Sequence, residues 1–219
     1  ILDVKKNYSV YQFQKDFKIA FDKLNSTNKF PILCGGTGLY IESILLDYPL
    51  IKTSVNQTLR NKLELKTIDE LLLIAGKEFI QKSNHSELNN KRRIIRYIEK
   101  LNANNYNKKQ IIKINSALIV GVEYSRDEIR DKIEKRLDLR IKEGLIEEVE
   151  SLVNRGISYD RLESIGLEYK FVSLYLKNDL TKEELKEKLT VAIQQFSKRQ
   201  LSWYRRMERR GLKIHWINK

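Results

Sequence analysis

One cysteine, two prolines and one methionine in 219 residues exclude several classes of protein at once. With Cys34 alone there is no disulfide framework and no cysteine-built zinc site, which suits a reducing cytosol and a cytoplasmic protein. With only nine glycines and two prolines, long flexible linkers are not expected. No apolar run approaches the ~20 residues of a membrane-spanning helix, so no membrane partner is expected. A basic-then-apolar leader is also missing. The chain opens Ile1-Leu2-Asp3-Val4, in what reads as the end of a strand, and its one methionine is Met207. Upstream sequence is therefore expected to be absent. Two phosphate motifs are lacking as well: no glycine satisfies G-x-x-x-x-G-K-[ST], and G-x-G-x-x-G does not occur. The missing Walker lysine argues against a kinase-like phosphotransferase.

What is present is positive charge. Lysine and arginine number 42 against 29 acids, a net +13. An excess of this size favours a polyanion such as nucleic acid, or else lysines that are merely solvated surface. Hydrophobic residues make up 41%, enough for a packed core.

The pattern along the chain predicts alternating helices and strands. Ser9-Val-Tyr-Gln12 fits a capping box opening a helix with Phe13, Phe17, Phe21 and Leu24 on one face. Phe30–Cys34 reads as a buried strand and Gly38–Leu46 as a second helix. Residues 49–111 change character to polar helices, including Thr67-x-x-Glu70 before an apolar run. Ala117–Tyr124 reads as the next strand. Ser125-x-x-Glu128 caps a long helix carrying Ile129, Ile133, Leu137, Ile141 and Leu145. Thr181-x-x-Glu184 opens another long helix, and Ile214–Ile217 closes the chain as a strand. Strands separated by helices imply a parallel α/β sheet. Residues 1–48 and 112–219 form that core, and 49–111 read as a helical insertion.

Three features carry chemistry. The stretch Pro31-Ile-Leu-Cys-Gly35-Gly36-Thr37-Gly38-Leu-Tyr40 places glycines between strand and helix. There the backbone N–H groups and helix N-terminus favour an anion, with Thr37 adding a hydroxyl; a plain turn capped by Thr37 is the other reading. Two basic clusters come next, Lys91-Arg92-Arg93-Ile-Ile-Arg96 and Lys198-Arg199-Gln200-Leu-Ser-Trp203-Tyr204-Arg205-Arg206. Arg92 and Arg96 share a helix face, with Ile94, Ile95 and Ile98 turned to a core. Arginine grips phosphate, glutamine reads base edges and aromatics stack unpaired bases; each cluster also reads as a solvated helix face, with Trp203 in the core. Arg136 lies beside the apolar stripe of the helix after Tyr124. It points along the sheet edge towards a ligand, or pairs with Asp138 or Glu143.

Taken together, these segments resemble the tRNA dimethylallyltransferases, also called tRNA isopentenyltransferases. Asp3 through Tyr8-Ser9 and the phenylalanine helix are similar to the family's D-P-x-x-x-Y-S-x-x-x-F segment. Pro31–Tyr40 matches its G-G-T-x-x-Y loop, and Arg92-Arg93-Ile-Ile-Arg96-x-x-Glu99 its R-R-x-x-R-x-x-E helix. Asp131-Lys132-Ile133-x-x-Arg136 with Gly144–Val149 follows R-I-x-x-R…G-x-x-x-E-V. Lys198–Arg205 matches K-R-Q-x-x-W-[FY]-R, and His215-Trp216 the closing strand. Five motifs in order are specific where each singly is modest.

The resemblance implies a P-loop-NTPase-like parallel sheet core with a helical insertion domain that binds tRNA, its N-terminal strands missing. It implies transfer of a dimethylallyl group from dimethylallyl diphosphate to the N6 amine of the adenine beside the anticodon. That adenine would be flipped into a channel that the diphosphate enters from the other end. Gly35, Gly36, Thr37 and Arg136 would line the diphosphate channel, with Thr37 and Arg136 catalytic. Arg60, Arg92, Arg93, Arg96, Lys198, Arg199, Gln200, Trp203 and Arg205 would bind the anticodon stem-loop. So would Glu163, Ser164, Ile165, Gly166, Leu167 and Glu168, where the family has R/Q-x-I-G-Y-[KR]. Magnesium is the implied cofactor, its ligands mostly outside this chain, and the protein is expected to be a monomer. The sequence departs from the family in four ways. The P-loop and general-base aspartate are absent, Glu163 and Glu168 place acids where the family often has basic or neutral residues, Lys132 replaces an arginine, and the helical insertion is short. The chain alone is therefore expected to be inactive; a non-catalytic RNA-binding remnant is the alternative.

Overall fold

In the computed structural model, the described residues are 2–27, 29–48, 50, 56–83, 85–102, 112, 114 and 116–218. They divide into two compact units, residues 1–47 with 112–219, and residues 48–111.

The first unit begins with helix α1, Val10–Ser26, opened by the Ser9/Gln12 capping box in which each side chain accepts from the other's backbone N–H. Helix α2, Gly38–Leu45, packs on it: the Phe13 and Tyr40 rings stack at 4.6 Å. Strand β1, Ile119–Glu123, pairs in parallel with the closing strand β2, Ile214–Asn218, in the register Ile119↔Ile214. Between them run α8 (Arg126–Lys142), α9 (Leu145–Asn154), α10 (Tyr159–Ile165), α11 (Leu167–Leu176) and α12 (Lys182–Arg209). Their core consists of Leu137, Leu145, Val149, Leu162, Val172, Leu185 and Leu189. Burying such leucines, at about 1.5–3 kcal/mol each, is what holds the helical layer together.

The unit is thus a mostly helical α/β fold with a small parallel sheet. Two sequence expectations are corrected. Residues 30–34 form no strand, and Phe30 and Ile32 are exposed rather than buried. Strand geometry needs a neighbour to take its N–H and C=O groups, and among the described residues β1 and β2 pair only with each other. The apolar stripe from Ile129 to Leu145 is not one helix. It stops at Glu143, and Gly144 takes φ +96°, turning the chain so that Leu145 enters the core from α9 instead.

A long-range tie fixes the start of the unit. The Arg161 guanidinium on α10 donates to the Val4 carbonyl (2.7 Å), the Lys6 carbonyl (2.6 Å) and Asn7 Oδ1 (2.5 Å). Asp3–Ser9 is thereby held against the segment 161–165 even though it has no regular structure of its own.

The second unit holds α3 (Gln57–Glu64), α4 (Ile68–Ala75), α5 (Lys77–Lys82), α6 (His85–Leu88) and α7 (Lys91–Leu101). Leu63, Leu71, Ala75, Phe79, Ile94, Ile95 and Ile98 make its core. Thr67 and Glu70 form the expected capping box at α4.

Gly144→Ala is expected to lower stability by about 1–2 kcal/mol, since the left-handed region penalises a Cβ. A shift of the urea midpoint at unchanged slope checks it; an unchanged midpoint would rule out a requirement for glycine there.

Candidate functional site

The glycine loop, its helix α2 and the C-terminal half of α12 form one assembly, built from contacts between residues far apart in sequence. Gln200 Nε2 donates to the Gly36 carbonyl at 2.8 Å across 164 positions. The Trp203 indole lies flat against Gly38, where a Cβ would sit 2.4 Å from Trp203 Cδ1, so only glycine fits beneath the ring. One turn further, Glu42 of α2 is fully buried. Arg206 donates to its Oε2 at 2.6 Å and Arg210 to its Oε1 at 3.0 Å. Arg206 also stacks on the Trp203 face at 3.7 Å, a cation–π contact closed off from water on its inner side. The stripe 200, 203, 206 on α12, with the C-cap residue Arg210, therefore grips loop and helix.

Thr37 stands at the N-cap of α2, but its side chain makes no capping bond; the hydroxyl is exposed. Its carbonyl accepts from Tyr40 N–H at 2.9 Å. The loop therefore presents a spare hydroxyl beside the first-turn N–H groups of a helix, an arrangement suited to an anionic oxygen. Burial pushes the Tyr40 and Tyr204 phenols above their ordinary range. Burial, together with its hydrogen bond to Asp16, raises Tyr8 to about 12. These phenols stay neutral at physiological pH and act as donors or packing groups, not bases.

The opposite face of α12 is different in kind. Lys198, Ser202, Arg205 and Arg209 recur at helical spacing and are all exposed. Arg199, one turn before Trp203 and so not on this face, is also exposed and lies over the Phe196 ring at 5.8 Å. The helix thus has one face that binds its own protein and one that is free to bind an anion.

The 48–111 unit repeats the buried-glutamate device. Glu99 of α7 is almost wholly buried and accepts from Arg60 Nε (3.1 Å) and Nη2 (2.8 Å) in a fork, and from Arg96 Nη1 (3.1 Å). Arg92 is exposed, while Arg93 is exposed and pairs with Glu87 at 3.4 Å. Of the arginines expected at RNA, Arg60 therefore ties α3 to α7 and Arg96 pairs with Glu99 within α7, both remaining about one-third exposed.

The remaining expected residues are more dispersed. Arg136 is exposed on α8, and among the described residues no hydrogen bond or ion pair holds it. Asp138 is taken by Lys186 at 2.6 Å. Gly35 has open space around its Cα. In the 163–168 segment, Glu163 pairs with Lys177 at 2.8 Å and Ser164 Oγ donates to the Arg161 carbonyl at 2.7 Å. Ile165 is exposed, Gly166 is extended between α10 and α11, and Leu167 packs on the core beside Glu168. No three carboxylate, imidazole or thiolate groups converge among the described residues. Sequence reasoning missed Glu42 and Arg210, and had Arg206 only as a member of a basic cluster. The only sign of them was a lone acid in the helix after the glycines and the surplus arginines after Arg205.

The site is thus a loop that offers a hydroxyl and helix N–H groups, joined to a two-faced basic helix within an α/β fold. Comparison with known proteins narrows the class. The family model for IPP transferase matches residues 1–207. "tRNA dimethylallyltransferase 1" of Azobacteroides pseudotrichonymphae genomovar. CFP2 is 43% identical over 221 residues, covering 100% of this chain and 72% of that protein. "tRNA dimethylallyltransferase 2" of Treponema denticola is 40% identical, covering 100% and 76%. The crystal structure of the full-length tRNA isopentenylpyrophosphate transferase from Bacillus halodurans matches with TM-score 0.65 at 26% identity, over 100% of this chain and 69% of that one. A eukaryotic dimethylallyltransferase acting on tRNA shares the fold at TM-score 0.74 and 17% identity, over 100% and 58%. The chain belongs to the IPP transferase family, and its curated relatives are prenyltransferases.

Two substitutions test the clamp. Glu42→Ala leaves two arginines without their buried partner and is expected to cost roughly 3 kcal/mol. Gly38→Ala must push the Trp203 ring aside and is expected to cost about 1–3 kcal/mol. Thermal melts showing either variant as stable as the parent would contradict the packing described.

Proposed function

We propose that this chain serves transfer of a dimethylallyl group from dimethylallyl diphosphate to the N6 amine of the adenine 3′-adjacent to the anticodon in tRNA. One observation carries the reading: the clamped loop holds a free Thr37 hydroxyl next to a helix whose outer face is basic. In the reaction the allylic carbon–oxygen bond breaks, the amine nitrogen bonds to that carbon, and diphosphate departs with the electron pair. The amine proton passes to a base. Thr37 Oγ and the α2 N-terminus suit the meeting point of amine and diphosphate. Arg136, exposed and not engaged by an acid, suits the charge developing on the leaving group. Lys198, Arg199 and Arg205, with Arg92, Arg93 and the outer edges of Arg60 and Arg96, suit the phosphates of the anticodon stem-loop. Segment 163–168 is proposed to meet the same RNA. The protein is proposed to act as a cytoplasmic monomer; among the described residues no helix is long and apolar enough to cross a membrane.

Binding is tested with an anticodon stem-loop titrated at rising salt. Affinity is expected to fall with a log–log slope of about −0.7 to −0.9 per phosphate contact. Replacing both Arg92 and Arg199 by alanine should reduce the slope by roughly 1.5. Salt-independent binding, or none, overturns the reading.

Chemistry is tested by mixing residues 1–219 with the same RNA, dimethylallyl diphosphate and magnesium. No adenine-linked product is expected, because a stabilised diphosphate and a positioned base are both required. Product formed by these residues alone would show that an acid within them, such as Asp3 or Glu168, acts as the base.

A further inference from the structure

We infer that Glu99 is a positioning residue for RNA: it fixes the Arg60 guanidinium so that a two-pronged donor edge faces one backbone phosphate. The inference rests on the proposed function and adds to it the residue that sets this contact. Glu99, 3% exposed, accepts from Arg60 Nε at 3.1 Å and from Nη2 at 2.8 Å. A guanidinium carries five N–H donors in one plane, and this side-on fork uses two of them. Nη1 and the second Nη2 N–H remain, side by side on the edge turned away from the buried carboxylate. Two parallel donors of this kind match two oxygens of a phosphate. Among the described residues, no other hydrogen bond or ion pair holds Arg60. Its side chain is 30% exposed against 1% for Glu99, so the far edge is the one that meets solvent.

Stability does not account for the acid. Helix α3 is already held on α7: Leu63 joins Ile94, Ile95 and Ile98 in one core, and Lys91 Nζ donates to the Glu64 carbonyl at 2.7 Å. A buried ion pair adds little to such packing, because desolvating the charges costs about what their attraction returns. What the pair does supply is geometry. A long side chain loses rotamer freedom when it grips a phosphate, and Arg60, held by Glu99, has lost much of it before RNA arrives. Arg96, three residues before Glu99 on the same helix, donates to the same Oε2 at 3.1 Å. Two guanidinia therefore surround one carboxylate, and the cluster keeps a surplus of positive charge. Arg93 shows the contrast. Its contact with Glu87 is single, 3.4 Å long and exposed on both sides, so it sets no such orientation.

Charge and position have opposite signs here. Glu99→Gln removes an acid and leaves both arginines, so charge alone would tighten binding of an anticodon stem-loop. With Glu99 positioning Arg60, binding is expected to weaken instead, by roughly tenfold at low salt, the loss of one charge-assisted contact. The log–log salt slope should shrink by about 0.7–0.9, one phosphate contact. A purely structural role would lower the fraction of active protein and leave the slope as it was. Arg60→Lys keeps the charge and removes the fork, and should weaken binding by a similar factor. The double variant should be no weaker than the weaker single one, since both changes break the same contact. Tighter or unchanged binding by a folded Glu99→Gln overturns the inference, as does a double variant whose loss is the product of the two single losses. If Glu99→Gln fails to fold by circular dichroism, Arg60→Lys decides the matter, and unchanged affinity there overturns the inference. All these outcomes arise with a parent that binds the stem-loop. A parent that does not bind overturns the proposed function, and this inference with it.

Discussion

A single buried carboxylate organises the glycine-loop end of this protein. Glu42 sits where water cannot reach it, and a bare charge there would cost several kcal/mol. Arg206 and Arg210, 164 and 168 positions away, offset that cost with direct hydrogen bonds. Because neither partner is tolerable alone, α2 and α12 have one register in which both are satisfied. The glycine loop, joined to α12 by Gln200, sits next to that register. Gly38 follows from the same constraint: once α12 is fixed, the Trp203 ring occupies the space a side chain would need.

The device recurs in the 48–111 unit, where Glu99 is bracketed by Arg60 and Arg96. In both places the protein spends arginines on its own acids, which changes how a net charge of +13 should be understood. Arginines in a basic cluster are not equivalent. Those one helical step inwards hold the fold, and those one step outwards face solvent and are available to phosphate. Arg205 and Arg206 are neighbours in sequence with opposite assignments, because successive residues on a helix point about 100° apart.

Local signals in the sequence were read correctly wherever the determining contact is local. The capping boxes at Ser9, Thr67, Ser125 and Thr181 all form, since cap and N3 partner are three residues apart. The apolar faces of α7 and the C-terminal half of α8 are where periodicity placed them. Strand 30–34 failed for a complementary reason. An apolar run states that a segment can be buried, but pairing decides whether it is a strand, and no neighbour pairs with it among the described residues. The stripe through Leu145 failed because periodicity does not register a left-handed glycine; Gly144 breaks the helix while keeping Leu145 in the core.

By itself, then, the sequence determined the helix starts, the two basic clusters, the glycine loop between an apolar run and a helix, and a resemblance specific enough to name the family. These depend on residues close in the chain or on motif order. Only the tertiary structure decided which basic residues are structural, that Gln200 holds a loop, and that Glu42 matters at all. The reason is that burial and ion pairing are properties of space. No spacing rule links position 42 to positions 206 and 210, and a buried glutamate reads along the chain like any exposed one.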